Sequence, residues 1–527
     1  MSNRFENISI LIFFLASIGL SYSLIPVSSG NVGLDGSFII QYEGVNDLTT
    51  ISSENIQLLN HSYELVYSLD GGKSYRRTKD MIRLNQNNNA SLQQYVTGVK
   101  WKAPYPNLPN ILSLRFYAEY QEAGKRTSES IVTRLGNFKT KLPIVSLNCN
   151  QDFLFDPLKG VMISGENGSM NSSFYTKWYD RPGNYTLRGK EHSSKANLQY
   201  FIDDSMKFET NVNLRIAGNA TRRFPQKSLR IDVEEEQNYN FFGEEKTAWN
   251  SIVLRNSGND NSKTMFADFI LQEFAQDQNV LVQRGQPSHI FINGNYWGIY
   301  NLRERINRKF IAEKENVKEK EVTILENGNA LLKSGSEEIR NEFLTYTDYW
   351  NSLNTIDNST YIHIKEIISM KSLIDYIFFE TFYGNADWPN NNIIWYKAGD
   401  KKWKWLLNDL DLSLAYTGSQ NTNSNYFEKL KSSNSVCAKL FCQLLTNHKF
   451  KEKFVNRAKE LISNLYSEEA VEEKFQKFKN WYSPEITWQI KRWRISNSVE
   501  EWIENVSANE YFLKTRTKIY LSQLENL

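Results

Sequence analysis

The chain has 527 residues, 40% of them hydrophobic and 13% aromatic, and this content excludes a disordered protein. Its 62 basic and 60 acidic residues nearly cancel, and a net charge of +2 gives no reason to expect a nucleic-acid-binding protein. The three cysteines, Cys149, Cys437 and Cys442, cannot all pair, and no two of the five histidines lie at metal-ligand spacing.

The N-terminal residues have the pattern of an export signal. Ile8 to Ile25 carries no charge and follows Arg4, and the small residues Ser21 and Ser23 come after its most apolar part. This pattern predicts a secretory signal peptide, or an uncleaved membrane anchor, over residues 1–25. We therefore expect a protein that is secreted or held at the cell surface or in the periplasm, and that meets a membrane only through this segment.

Residues 36–138 are dominated by short strands. Segments such as SYELVYSL and ILSLRFYAEY alternate apolar and polar residues, and Asp70-Gly71-Gly72 supplies a tight turn. The pattern predicts a small β-sandwich that resembles the immunoglobulin-like modules of bacterial surface enzymes. No chemical motif is visible in it, so we interpret it as a spacer or binding module.

The rest of the chain changes from mixed to α+β character. In residues 139–205, the strand-like PIVSLN precedes a loop-like stretch rich in Gly, Asn and Ser, which we expect to connect the domains and pack on the second. Residues 206–527 begin with strand-like NVNLRIAG and KSLRIDVE and the helical KTMFADFILQEFAQDQ. Hairpins are predicted at Asn293-Gly294 and Gly399-Asp400, and helices for SLIDYIFFETFY, 436–465 and 511–527. A sheet-rich half before a helical half is the order of a bilobal kinase.

A first candidate motif combines a tight turn with basic residues. Gly218-Asn219 stands between two predicted strands and is followed by Arg222 and Lys227. The N–H groups of such a turn can hold phosphate oxygens, and a lysine on the next strand can neutralise their charge. An ordinary loop is the alternative, because such turns are common.

A second motif has the spacing of a kinase catalytic loop. Asp387 and Asn392 match the pattern D-x-x-x-x-N. In such a loop the carboxylate accepts the proton of the substrate hydroxyl, and the amide oxygen five residues later ligates Mg²⁺. The alternative is an asparagine-rich turn that caps a helix.

A third motif places two carboxylates one residue apart. On a strand, Asp409 and Asp411 would project from the same face. Like charges this close usually need a metal ion or an arginine between them, and Mg²⁺ prefers one or two carboxylates with phosphate oxygens and water. The alternative is a solvent-facing strand end.

Together the motifs resemble the spore coat protein H (CotH) kinase family over residues 139–527. The matching segments are RIAGNATRRFPQKSLRI, LRNSGND, FINGNYWGIYNLRERI, NADWPNNNIIWY and KWKWLLNDLDLSLAY. The resemblance implies an atypical, bilobal protein-kinase-like domain over residues 206–527. It also implies transfer of the γ-phosphoryl group of ATP, with Mg²⁺, to hydroxyl side chains of exported proteins.

The resemblance assigns roles by position. Asp387 is the catalytic base, the metal ligands are Asn392, Asp409 and Asp411, and the nucleotide-binding residues are Gly218, Asn219, Arg222, Lys227 and Glu273. Glu273, or else Glu304, pairs with Lys227. Ala220, Ala267 and Ser413 depart from the family pattern, but none of them removes a proposed catalytic group.

Two other functions fit parts of the sequence. A surface scaffold or pseudokinase would keep the fold without catalysis. A carbohydrate hydrolase would use Asp387 and Asp411 as acid and base, but two neighbouring aspartates beside an asparagine run suit a metal better.

Overall fold

The fold is α+β, as predicted from the sequence. The computed structural model describes residues 39–43, 48–52, 63–78, 82–84, 87, 89, 91–92, 101–120, 129–168, 177–243, 247–418, 421–494 and 496–527. The export segment predicted at Ile8 to Ile25 lies outside these residues. Within them, no helix combines the length and apolar character needed to cross a membrane.

Two antiparallel sheets occupy the N-terminal part. One has the order β1-β2-β5 and the other β4-β3-β6-β7. Their strands are β1 (Ile39–Glu43), β2 (Leu48–Ser52), β3 (Tyr63–Ser68), β4 (Arg76–Thr78), β5 (Ile82–Leu84), β6 (Leu112–Tyr120) and β7 (Ser130–Arg134). Two sheets in this region agree with the predicted β-rich module, and its immunoglobulin-like class stays a prediction.

This module packs closely on the next part of the chain. Gly71 has a φ of +74°, and a Cβ there would lie 1.7 Å from the carbonyl oxygen of Cys149. The N–H of Ile111 donates to the carbonyl of Gly294 at 2.9 Å. Only glycine allows the first of these approaches, so the module rests directly on the barrel described next.

A closed barrel of the order β10-β11-β12-β14-β13-β8-β9 follows. The chain enters it through β8 (Ile144–Cys149), followed by the short helix α1 (Gln151–Phe155), and the other strands are β9 (Ser194–Ile202), β10 (Ser205–Ile216), β11 (Leu229–Asn238), β12 (Ala248–Arg255), β13 (Gly285–Ile292) and β14 (Asn295–Glu304). The segment 139–205, interpreted from sequence as a connector, thus supplies two barrel strands. The boundary drawn between residues 205 and 206 falls at the β9–β10 hairpin.

Four barrel strands carry the same Leu–Arg dipeptide: Leu214-Arg215, Leu229-Arg230, Leu254-Arg255 and Leu302-Arg303. The four leucines are buried in the barrel core. Because successive strand side chains point to opposite faces, the four arginines lie on the outer face. Four neighbouring strands therefore each place an arginine on the outer face of the barrel.

A helical half with a second sheet, of order β16-β15-β17-β18, completes the fold. Its elements are α2 (Ala267–Phe274), α3 (Arg308–Glu315), β15 (Val322–Glu326), β16 (Leu331–Ser334), α4 (Glu337–Ser352), α5 (Asn358–Ile367), α6 (Met370–Tyr383), β17 (Ile394–Ala398), β18 (Lys404–Leu406), α7 (Tyr426–Lys431), α8 (Val436–Leu444), α9 (His448–Leu465), α10 (Glu468–Tyr482), α11 (Ile486–Trp493) and α12 (Val499–Glu525). The α6 helix is buried on every side, which explains its continuous apolar sequence.

Two local predictions need correction. The strand expected to contain Asp409 and Asp411 ends at Leu406, and Asp409 has a φ of +58°, so both aspartates lie in a loop. The helix expected from Lys263 begins only at Ala267. There the buried carboxylate of Asp260 accepts hydrogen bonds from the Ala267 N–H and the Thr264 hydroxyl, which fixes a turn ahead of the helix.

Candidate functional site

The candidate site is formed by two loops that lie side by side, one containing Asp387 and Asn392 and the other containing Asp409 and Asp411. The Nδ2 of Asn392 lies 3.1 Å from Oδ2 of Asp387 and 3.4 Å from the carbonyl oxygen of Asp409. The N–H of Ala386 donates to the carbonyl of Leu412 at 3.1 Å. The Asp387–Asn392 loop and the Asp409–Asp411 loop are therefore held side by side by their own hydrogen bonds.

Asn385 and Glu380 are hydrogen-bonded to each other, and Asn385 contacts both loops of this junction. Asn385 accepts the N–H of Asp387 at 3.2 Å, and its Nδ2 lies 3.0 Å from Oε2 of Glu380 and 3.4 Å from the carbonyl of Asp409. Glu380 is fully buried, and burial raises the pKa of its carboxyl to about 8. Burial thus favours the uncharged form of this carboxyl group, and its Oε2 accepts the Asn385 amide.

Asp411 is buried against the turn that follows β12. Its Oδ2 accepts the N–H of Asn259 at 2.8 Å, and its Oδ1 accepts Nδ2 of the same residue at 3.1 Å. Burial, and then the neighbouring charge of Asp409, raise the pKa of Asp411. At Gly258, with a φ of +59°, a Cβ would lie 1.8 Å from Oδ2 of Asp411, so the turn requires glycine.

Arg255 lies between the two aspartates. Its Nη2 is 2.5 Å from Oδ1 of Asp409 and 3.1 Å from Oδ2 of Asp411, and its Nε is 3.7 Å from Oδ2 of Asp268. Burial alone would lower the pKa of Arg255, but the three carboxylates raise it. The cation expected between two such close carboxylates is, in this structure, an arginine from the outer face of the barrel.

Asp268 connects helix α2 to both sides of this junction. Its Oδ2 accepts Nη1 of Arg303 at 2.9 Å, and its Oδ1 accepts the N–H of Leu410 at 2.9 Å. Burial would raise the pKa of this carboxyl, but the charges of Arg255 and Arg303 hold it below its usual value. One buried carboxylate thus links the barrel, α2 and the loop of the two aspartates.

The chemistry of the donors suits magnesium when the ion arrives with phosphate. Among the described residues, no group of three or more His, Cys, Asp or Glu side chains could hold a metal by itself. Asp409, Asp411 and the amide oxygen of Asn392 are hard oxygen donors, and Mg²⁺ commonly uses one or two carboxylates together with phosphate oxygens and water. The Asp409 side chain is 34% exposed and so accessible to such a complex.

The candidate site lies within a region of the chain that matches a known protein family. A model of the CotH kinase protein family matches residues 214–520, more than half of the chain. The chain belongs to the CotH kinase family. No curated protein matches the sequence. The matched region runs from the end of β10 into α12, and it includes the four barrel arginines, α2 and both loops.

Membership of the CotH kinase family implies a kinase-like domain, ATP and a divalent metal. Of the residues assigned to the nucleotide, Gly218 and Asn219 form an exposed turn after β10. The Ala217 N–H at this strand end donates to the carbonyl of Ser228, and the Ser228 hydroxyl lies 2.8 Å from Oδ1 of Asn256. The Gly218-Asn219 turn therefore lies at the same end of the barrel as the turn at Gly258 and Asn259, which contacts Asp411. This position is compatible with the assignment of Gly218 and Asn219 to the nucleotide.

The structure directs Lys227 away from the outer face. Its side chain is fully buried, with Nζ 2.7 Å from the carbonyl of Phe224 and 4.6 Å from the centre of the Tyr185 ring. It has the same strand parity as Leu229, which points into the barrel. Burial lowers the pKa of Lys227 to about 7. The phosphate-binding role of Lys227 stays a prediction, and in this structure its ammonium group lies against the Phe224 carbonyl and the Tyr185 ring.

Arg222 has a structural role that the sequence does not indicate. Its guanidinium donates to the backbone carbonyls of Gly218, Ile216, Tyr185 and Leu187 at 2.7 to 3.3 Å. Burial, and then the charges of Arg188 and Arg223, lower its pKa to about 10. Arg222 thus holds the turn together through four backbone carbonyls, and its nucleotide-binding role stays a prediction.

Neither predicted glutamate is turned towards Lys227. Oε2 of Glu273 lies 2.9 Å from Nζ of Lys477 on α10, and Oε1 of Glu304 lies 2.8 Å from Nη2 of Arg284. The ion pairs that do join the barrel to α2 are those of Arg255 and Arg303 with Asp268. The structure thus has an arginine–aspartate link between the barrel and α2, and the lysine–glutamate link stays a prediction.

The sequence reasoning missed Arg255, Asn259 and Asp268. A signal for Arg255 was present in the repeated Leu–Arg dipeptides, which place an arginine outside wherever the leucine is inside. The segment LRNSGND contributes to the sequence analysis only through the family resemblance. Asp268 gave no signal, because an aspartate in the first turn of a helix is common and its partners lie far away in the chain.

Proposed function

We propose that this chain is a magnesium-dependent protein kinase that transfers the γ-phosphoryl group of ATP to a hydroxyl side chain of an exported protein. The observation that carries the proposal is the junction in which Asn392 contacts both the Asp387 carboxylate and the Asp409 backbone. A kinase needs a base and a metal-binding carboxylate on either side of the reacting phosphate, and Asp387 and the Asp409–Asp411 loop can supply them.

Asp387 would act as the base. Its two carboxylate oxygens accept hydrogen bonds from the side-chain amides of Asn391 and Asn392 at 2.9 and 3.1 Å, which orient the group. The residue is only partly buried, so a substrate hydroxyl can reach it. Lys429, whose Nζ donates to the carbonyl of Ala386 at 2.7 Å, fixes the preceding backbone.

Asp409, Asp411 and Asn392 would hold the magnesium ion. When bound, the ion neutralises charge on the phosphates during transfer. Asn392 has a φ of +62°, a conformation that asparagine adopts more readily than most residues, and its Nδ2 makes the hydrogen bonds of the junction. The amide oxygen is the atom of this side chain suited to the metal.

Export gives this activity its substrate class. The apolar segment Ile8 to Ile25 supports secretion or surface attachment, and a kinase outside the cytoplasm acts on other exported proteins. The N-terminal module, which rests on the barrel through Gly71 and Ile111, would present such a partner or act as a spacer.

One observation favours a second candidate, a scaffold without catalysis. Arg255 already lies between Asp409 and Asp411, and an arginine at this position can stabilise the aspartates without any metal. In a pseudokinase this ion cluster would be the final state. In a kinase, the magnesium–nucleotide complex must share these carboxylates with Arg255.

Two measurements separate the candidates. The purified protein is assayed for phosphate incorporation from labelled ATP with Mg²⁺, and it is compared with Asp411→Ala. Loss of a metal ligand should lower the rate by about a hundredfold or more, by analogy with removal of a single electrostatic stabiliser. Thermal unfolding with Mg²⁺ and ATP adds a binding test, because a hundredfold excess over Kd stabilises a protein by about 2.7 kcal/mol. No incorporation and no stabilisation would leave the scaffold.

A further inference from the structure

The basic outer face of the barrel has an open part and a covered part. Arg303 is buried beneath α2 through Asp268, and Arg255 is engaged by the two loop aspartates. Arg215 and Arg230 pair directly across β10 and β11, and their side chains are 21% and 28% exposed. The first two arginines therefore hold the fold together, and the other two remain accessible.

The accessible arginines surround a single carboxylate. Oδ2 of Asp232 lies 2.5 Å from Nη2 of Arg215, and its Oδ1 lies 2.7 Å from Nε of Arg230 and 2.6 Å from the Ser251 hydroxyl. These contacts orient both guanidinium groups. Each keeps N–H donors beyond those used on Asp232, because an arginine has five.

Arg305 adds a third positive charge to this group. It follows the end of β14 and has the same strand parity as Arg303, so it lies on the outer face beside Ser251. Within the part of the chain that the structure describes, its guanidinium forms no hydrogen bond or ion pair. Burial first, and then the charge of Arg230, lower its pKa to about 10. Three arginines thus lie near one carboxylate that pairs with two of them, an arrangement that leaves an excess of positive charge.

This excess lies beside the junction of the two loops. Arg230 pairs across the sheet with Val253, and Arg255 is two residues further along the same face, a step of about 6.6 Å. On the other side, Arg305 and Ser251 line a small, open surface pocket of about 40 Å³. A chain of phosphates that reaches Asp409 and Asp411 would therefore pass over these arginines.

We infer that Arg215, Arg230 and Arg305, oriented by Asp232, form the polyphosphate-binding face of the nucleotide site, in the role that the sequence gave to Lys227. The inference rests on the proposed function and identifies the cations that this function needs. Guanidinium groups bind phosphate oxygens in pairs of parallel hydrogen bonds, so three of them on one face suit a triphosphate. A bound polyanion would also relieve the repulsion among the three charges.

The test uses the full-length protein with three variants. Arg305→Gln removes the cation that has no partner, Arg230→Gln removes one that pairs with Asp232, and Arg76→Gln is a control at an exposed strand arginine of the N-terminal module. Binding of Mg²⁺–ATP, inorganic triphosphate and adenosine is measured by calorimetry. Arg305→Gln and Arg230→Gln should each weaken ATP and triphosphate binding by about tenfold or more and leave adenosine unchanged. The control should match the parent for all three ligands.

A stability measurement guards against misfolding as the cause. Because Arg305 is repelled by its neighbours, Arg305→Gln without ligand should melt at the same temperature as the parent or higher. If the parent binds ATP and both site variants bind ATP and triphosphate as tightly as Arg76→Gln, the inference is overturned and the kinase stands. If the parent binds triphosphate through these arginines but not ATP, the face is supported and the kinase is not. If the parent binds neither, both are overturned.

Discussion

Asp268 offers the sharpest test of how the barrel, helix α2 and the aspartate loop depend on one another. In Asp268→Asn, the amide that replaces Oδ2 faces Nη1 of Arg303, and two donors then oppose each other. Arg303 is only 1% exposed and cannot turn to water. Removing one partner of such a buried pair costs about 3–5 kcal/mol, so we expect the free energy of unfolding to fall by that amount.

Asp375→Asn is the matched control. Asp375 is also fully buried, and its Oδ1 and Oδ2 accept hydrogen bonds from Arg457 at 2.9 and 3.0 Å, but the pair lies on α6 and α9, away from both loops. The Arg457 side chain is 23% exposed and can be hydrated after the change. We therefore expect a smaller loss, about 1.5–3 kcal/mol.

Urea unfolding gives the two stabilities, and calorimetry gives the affinity for Mg²⁺–ATP under conditions where both variants remain folded. Asp268→Asn should weaken nucleotide binding by about tenfold or more, because it removes the negative charge and the oxygen that face the Arg255 side chain. Asp375→Asn should bind like the parent. Equal affinities in the two variants, or unchanged stability of Asp268→Asn, would refute the reasoning.

Three further predictions address single residues. Asp387→Asn should lower the rate of phosphate transfer by about 10²- to 10⁴-fold. The melting temperature should change by no more than a few degrees, because the Asp387 carboxylate accepts its hydrogen bonds from Asn391 and Asn392 of its own loop. A transfer rate near that of the parent would show that Asp387 is not the base. Lys227→Met should gain stability relative to the parent at pH 7, and this gain should shrink by pH 9.5. The pKa of Lys227 is about 7 in the folded protein and 10.5 in the unfolded chain, so between these pH values the unfolded chain binds more protons and the parent becomes more stable as the pH rises. An equal difference in unfolding free energy between variant and parent at both pH values, measured with urea, would contradict this prediction. Gly258→Ala should destabilise the protein by about 1–3 kcal/mol in the same assay and weaken Mg²⁺–ATP binding, whereas a tolerated methyl would show that the Asp411 turn is not close-packed.

Patterns of near neighbours in the chain made much of the fold predictable. The hairpin at Asn293-Gly294 and the buried helix α6 follow from turn chemistry and apolar runs, and both appear as expected. The spacing of Asp387 and Asn392 likewise predicts that their side chains meet, because both belong to one turn. Such features depend on residues a few positions apart.

The parts that could not be predicted depend on barrel closure. The side of the sheet on which Lys227 lies is decided by the parity of β11, and an inward lysine reads in sequence like any strand lysine. Similarly, β8 and β9 join the barrel through pairing with β13 and β10, which no local pattern indicates. The Arg255–Asp409 contact joins residues 154 positions apart and is visible only after folding.

A structure of the protein with Mg²⁺ and a non-hydrolysable ATP analogue tests the central claim most directly. We expect the metal at Asp409, Asp411 and the amide oxygen of Asn392, with the phosphates over Arg215, Arg230 and Arg305 and the terminal one within reach of Asp387. Phosphates bound to Lys227 without contact to these arginines, or a metal distant from Asp411, would contradict it.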